Sequence, residues 1–184
     1  SCGPTRVLVR WRTNLATPSR VRWGPSPAAL DSIKDVPASV TDHEVTLTGL
    51  TPGSRVYYSV GSSTETLIGD STTFVVLPPV TGTAQPTRVW VLGDSGLPGA
   101  DQNHVRDAYL NWTGTRHTDL WLMLGDNAYE NRTDAEFQAN VFNVYPTFFK
   151  QSVVWPAVGN HDTAQSNTFD PTIPYYQMFT MPTG

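Results

Sequence analysis

Through its first eighty residues the chain alternates between apolar and polar positions. Apolar side chains fall at Val7, Val9 and Trp11, at Val21 and Trp23, at Val45 and Leu47, at Val56, Tyr58 and Val60, and at Phe74 and Val76. A period of two puts successive side chains on opposite faces, so these runs predict strands with one buried face. Turn-forming stretches separate them, as in Trp23-Gly24-Pro25-Ser26-Pro27 and Thr51-Pro52-Gly53. The pattern predicts an all-β sandwich over residues 1–79. The stretch from Pro78 to Thr87 has no periodicity and three prolines, and residues 80–87 within it read as an interdomain linker.

From residue 88 the pattern changes. Arg88-Val-Trp-Val-Leu92, Leu120-Trp-Leu-Met-Leu124 and Val153-Val-Trp-Pro-Ala-Val158 are compact apolar runs without alternation. Helical spacing links Val105, Ala108, Tyr109 and Trp112, predicting a helix over roughly 103–112, and a second helix is expected over about 133–149. Unalternating strands separated by helices predict βαβ units whose strands are buried on both faces.

Each of the three runs leads into Gly and a short oxygen-bearing residue: Gly93-Asp94, Gly125-Asp126 and Gly159-Asn160. The three lie 32 and 34 residues apart, about one βαβ unit each. In an open α/β sheet the carboxyl ends of the strands share one edge, where ligands bind. The spacing therefore gathers three hard oxygen donors, suited to Mg, Mn, Fe or, with nitrogen partners, Zn. A glycine before each donor is expected to let the backbone turn and approach closely. Tyr129 follows Asp126 by three residues, within reach of the same site, and a phenolate prefers a strongly Lewis-acidic ion such as Fe(III). His161 can donate a proton, and Asp162 is placed to orient it. Any one of these pieces has a bland reading, since a Gly-Asp after a strand is usually a turn. Three in order at unit spacing are far more specific.

Gly93-Asp94-Ser95-Gly96, Gly125-Asp126-Asn127-Ala128-Tyr129 and Gly159-Asn160-His161-Asp162 resemble the first three motifs of the purple acid phosphatases, within the calcineurin-like metallophosphoesterases. The segment Leu47–Tyr58 resembles the corner before the sixth strand of a fibronectin type III-like domain, a module that two-domain purple acid phosphatases carry at the N-terminus. That family usually has a Tyr where Val56 stands here, followed by Tyr57 and Tyr58. The first strand of the module is expected to be missing.

The resemblance implies a multidomain protein: a fibronectin III-like sandwich over 1–79, then the N-terminal part of an α/β metallophosphoesterase domain over 88–184, a layered β-sandwich flanked by helices. It implies two metal ions, Fe(III) plus Fe(II), Zn or Mn. Asp94 and Tyr129 would bind the first, Asn160 the second, and Asp126 would bridge them. His161 would protonate the leaving group or hold the phosphate. The implied reaction is hydrolysis of phosphate monoesters by an acid phosphatase. A Mn or Zn phosphodiesterase or nucleotidase of the same superfamily is the nearest rival, and a non-catalytic binding or adhesion protein the rival of another class. The family usually has Glu after the Asn-His pair, where Asp162 stands here. It completes its site with three histidines from two later motifs, which His43, His104 and His117 do not match in order. The chain is therefore expected to be a fragment, inactive alone, that needs the remainder of its parent.

Charge and composition restrict the partners. Twelve basic and sixteen acidic residues leave a net charge of −4, with no basic run. That argues against nucleic acid as a main partner, because backbone binding needs clustered Lys and Arg, while the resemblance implies small phosphate esters as substrates. No apolar stretch approaches the ~18 residues of a transmembrane helix. The single cysteine, Cys2, permits no intramolecular disulfide. A secreted, extracellular or periplasmic location is expected, and oligomerisation stays open.

Overall fold

The computed structural model describes residues 2–163, 170 and 172–181. Internal contacts divide the chain into two compact units, Ser1–Pro86 and Thr87–Gly184.

The first unit is an antiparallel, six-stranded sheet. Its strands are β1 (Cys2–Gly3), β2 (Arg6–Gly24), β3 (Ser32–Thr48), β4 (Arg55–Gly61), β5 (Thr66–Ile68) and β6 (Phe74–Val76). The two apolar runs Val7–Trp11 and Val21–Trp23 are the two arms of one strand, β2, which pairs with β3 from Arg6↔Thr48 to Trp23↔Ser32. The register shifts between Arg12 and Ser19. The hydrophobic pattern lapses there because the one large apolar residue, Leu15, points to solvent. The alternation does predict the inner face. Val7, Val9, Val45 and Leu47 are buried on one arm, and Val21, Val56, Val60 and Phe74 on the other and its neighbours. A β-rich unit with strands that change register between two buried arms is consistent with a β-sandwich.

His43, paired with Trp11 just before that irregular region, is fully buried. Its ring stacks on Trp11 with centroids 4.6 Å apart. Ser19 Oγ lies 2.8 Å from Nδ1 and Thr13 Oγ1 lies 2.9 Å from Nε2. Thr13 donates its only hydroxyl proton to the carbonyl of Leu15. Its oxygen must therefore accept from Nε2–H, and the Ser19 hydroxyl donates to Nδ1 of a neutral ring.

The second unit runs β7 (Val89–Leu92), α1 (Ala100–Thr113), β8 (Leu120–Met123), α2 (Asp134–Phe137), a π-helical turn (Gln138–Phe142), α3 (Pro146–Gln151), β9 (Val153–Pro156) and α4 (Pro174–Met178). The three strands form a parallel sheet in the order β7-β8-β9. Trp90, Trp121 and Met123 project from one face into a core with Phe137, Val141, Tyr145, Phe148, Tyr175 and Met178. Aromatic rings dominate it, with Trp90 stacked on Tyr109 at 4.4 Å and on Trp121 at 5.3 Å. Burying such side chains contributes on the order of 1.5–3 kcal/mol each.

Three expectations are corrected here. The strands are not buried on both faces: Val89, Val91 and Trp155 on the opposite face remain 41–51% exposed. Packed helical segments cover one face alone, and no second sheet layer occurs in this unit among the described residues. The helix expected over 133–149 is broken, because Pro146 has no N–H to continue it and starts α3 afresh. In α1, Val105 and Trp112 are exposed, and contact with the core comes through Tyr109, from the expected set, and through Leu110.

Candidate metal centre

The parallel pairing carries past the strand ends. Leu124 N donates to Leu92 O, Asp94 N to Gly125 O and Ala157 N to Met123 O. The three motif loops therefore leave one edge of the sheet side by side. Asp94 and Asp126 themselves adopt the left-handed conformation, with φ of 54° and 52°. Asp tolerates this region better than most residues, though at a cost. The sharp turn thus falls on the acidic residues, not only on the glycines before them.

Close approach does require two of the glycines. A Cβ on Gly159 would lie 2.2 Å from both the backbone nitrogen and Oδ1 of Asp126. Gly125, at φ 101°, faces the backbone of Gly159, 2.9 Å from where its Cβ would stand. Gly93 meets only Leu124 Cβ at 3.6 Å. The expectation of a sterically needed glycine therefore holds for the second and third loops and is corrected for the first. Gly96 is an unforeseen addition, since its Cβ would lie 1.9 Å from the carbonyl oxygen of Asn127.

Four of the five candidate residues come together. The hydroxyl of Tyr129 hydrogen-bonds Oδ1 of Asp94 and, at 3.1 Å, Oδ2 of Asp126. Oδ1 of Asp126 accepts from the backbone N–H of His161 at 2.8 Å. The His161 ring packs on Tyr129, centroids 4.4 Å apart, and its Nδ1 lies 3.4 Å from the carbonyl of Glu130. The phenol of Tyr129 is buried while Asp94 is exposed. Burial first, then the bonds to Asp94 and Asp126, pushes the Tyr129 hydroxyl well above its ordinary range, so the phenol holds its proton between the two carboxylates. Asn160 lies in the same loop, exposed, with its carbonyl accepting from Thr163. Among the described residues no hydrogen bond joins its side chain to the carboxylates.

One role changes. Asp162 does not orient His161. Its fully buried carboxylate accepts from Gly159 N at 2.8 Å, from Asn127 N at 3.0 Å and from Asn127 Nδ2 at 2.8 Å. The side chain turns inward because three N–H donors wait there with few other acceptors. Burial pushes its carboxyl up, and the donors from Gly159 and Asn127 pull against that. Sequence reasoning missed Asn127, the partner of this contact; its place between Asp126 and Tyr129 was the available signal.

Two carboxylates and a phenol converging on one point form an all-oxygen donor set that fits a hard cation. No group of three or more His, Cys, Asp and Glu placed to hold a metal occurs among the described residues. Of the other histidines, His104 is exposed beside Asp101, and His117 lies 4.0 Å from Asp119.

Comparison with known proteins adds a family. Residues 1–76 match the family described as purple acid phosphatase, N-terminal domain. No curated protein matches the chain in sequence. Among solved structures, one titled "Structure of PhoD" matches with a TM-score of 0.62 at 12% identity, over 95% of this chain. The chain spans 40% of the length of that structure. At such identity the likeness concerns the fold, and it extends across both units. The family match over the first unit identifies residues 1–76 as similar to the N-terminal domain of the purple acid phosphatases.

Proposed function

We propose that the parent protein hydrolyses phosphate monoesters as a metal-dependent acid phosphatase, and that this chain supplies the oxygen donors of its two-metal site. The observation that carries this reading is the Tyr129 hydroxyl held between the carboxylates of Asp94 and Asp126. Asp94, Asp126, Tyr129 and Asn160 would hold the ions, Fe(III) with Fe(II), Zn or Mn, with nitrogen donors supplied by the rest of the polypeptide. When bound, such a pair would clamp phosphoryl oxygens and acidify a water.

The chain's own residues do the rest. The Asp126 carboxylate is fixed from both sides, by His161 N–H on Oδ1 and Tyr129 on Oδ2. A carboxylate so held loses little freedom on binding a cation. Nδ1–H of His161 faces the Glu130 carbonyl, so Nε2 gives a proton to the departing alcohol from the doubly protonated ring. The mild negative charge supports small phosphate esters over nucleic acid as substrate. A secreted, extracellular or periplasmic setting, and a fibronectin III-like character for the first unit, complete the reading.

The test uses the intact parent protein with p-nitrophenyl phosphate and Fe, Zn or Mn. Turnover is expected, with Asp126→Asn reducing kcat at least about a hundredfold. Preference for the bis-aryl diester would indicate the phosphodiesterase alternative. Absence of turnover with every one of these metals would sink the enzyme reading and favour a binding or adhesion role.

A further inference from the structure

The third loop carries a carboxylate that the proposed chemistry does not use. Asp162 and Asn127 are both fully buried, although each stands one residue beyond a candidate site residue, Asp162 after the proposed proton donor His161 and Asn127 after the proposed ligand Asp126. Asp162 spans the two loops: it receives Gly159 N–H from its own loop, and both the backbone and the side-chain N–H groups of Asn127 from the other. Asn127 Nδ2 also donates to the carbonyl of Ala157 at 2.8 Å. The amide orientation is therefore fixed, since turning it over would set its oxygen against two acceptors. Asn127 Oδ1 has no hydrogen-bond partner, which leaves the donor side as the side that matters.

The backbone contacts around this pair are already at their closest. Gly159 lies against Asp126 and Gly125 with no room for a Cβ, and His161 N–H reaches Asp126 Oδ1. Such a junction of polar backbone groups cannot rest on hydrophobic packing. It needs a polar fastener, and a buried carboxylate accepting several N–H donors is a strong one.

We infer that Asp162, through Asn127 and Gly159, is the positioning residue that sets the distance between the Asp126 loop and the Asn160-His161 loop, and so the spacing of the donors that those loops present to metal. The inference rests on the metal reading above for its consequence, but not for its geometry. Asp162 touches no substrate and acts through the two loops. Asp162→Asn keeps the size and loses the second acceptor oxygen; Asn127→Ala loses the side-chain donor.

The experiment compares the full-length protein with its Asp162→Asn and Asn127→Ala variants by two readouts. The first is amide hydrogen exchange without metal. Exchange at Asn127, Gly159 and His161 is expected to become about tenfold faster or more in both variants, with the amides of β7 and β8 unchanged. The second is Mn(II) binding followed by electron paramagnetic resonance. Affinity is expected to fall about ten- to a hundredfold in variants whose thermal midpoint is close to that of the wild type. Unchanged exchange at the three amides in either folded variant overturns the proposal, as does unchanged Mn(II) affinity beside a lowered thermal midpoint. A wild type that binds no Mn(II), Fe or Zn, yet shows the exchange effect, removes the metal reading and leaves the fastener in place. If Asp162→Asn fails to fold, Asn127→Ala carries the same comparison.

Discussion

The backbone N–H of His161 donates to Oδ1 of Asp126 at 2.8 Å. This one bond ties the third motif loop to the second and commits one oxygen of the carboxylate to the protein. The other oxygen faces Tyr129, so the side of Asp126 turned toward the phenol is the side open to a ligand.

The glycines around this bond are predicted to differ sharply. Gly159→Ala forces a Cβ to within 2.2 Å of Asp126 and should destabilise the second unit by about 1–3 kcal/mol, as overpacking does. Gly93→Ala meets only an ordinary contact with Leu124 and should change stability by less than about 0.5 kcal/mol. Urea unfolding of the two variants beside the wild type measures the difference. Equal stability of both variants would mean that the loops do not approach as described.

The loop after Tyr129 depends on a cap. Thr133 and Glu136 form a reciprocal capping box at the start of α2, and the Glu136 carboxylate also accepts from the backbone of Glu130 and Asn131. Thr133→Ala should cost about 1 kcal/mol. Although its partial burial works against it, Glu136 is held below the usual carboxylate range by N–H and hydroxyl donors, those of Thr133 first. A depressed carboxyl pKa stabilises the fold above the unfolded value and loses that contribution as pH falls through the folded one. Glu136→Gln should therefore flatten the acid limb of the stability profile below about pH 4.5, which chemical denaturation from pH 3 to 7 would reveal.

His43 gives the first unit a pH dependence of its own. Burial pushes its pKa down, against the opposing pull of Asp42. The folded unit therefore favours the neutral ring, while the unfolded chain takes up a proton near the ordinary value of about 6.5. Stability is complete above that pH and declines as pH falls through it toward the folded pKa. His43→Gln should lose stability at neutral pH and show a flatter slope between about pH 5 and 7. Thermal unfolding of the intact chain, followed through β2 and β3 amide signals, checks this. A slope equal to that of the wild type would show that His43 does not titrate with unfolding.

Much of this structure was legible in residue order because backbone periodicity is a local property. Val7, Val45, Val56 and Val60 fell on the inner face as their alternation predicted. Asp94, Asp126 and Tyr129 met because three parallel strands end at one edge. The failures came from groups whose environment is set at a distance. The apolar character of Val89, Val91 and Trp155 gave no sign that helical segments cover one face of the sheet alone. Asp162 read as a neighbour of His161 in sequence, whereas the donors that claim it come from Gly159 and from Asn127, 35 residues earlier. The long β2 was hidden because the stretch Arg12–Ser19 stays extended without an apolar rhythm.

The central claim is that Tyr129 and the carboxylates of Asp94 and Asp126 are donors to one metal centre. The most direct measurement is the visible absorption of the full-length protein loaded with iron, for the wild type and for Tyr129→Phe. A tyrosinate–Fe(III) band in the wild type that disappears in the variant, with iron still bound, is the predicted result. A colourless iron-loaded wild type with full phosphatase activity, or a band that survives Tyr129→Phe, would contradict it.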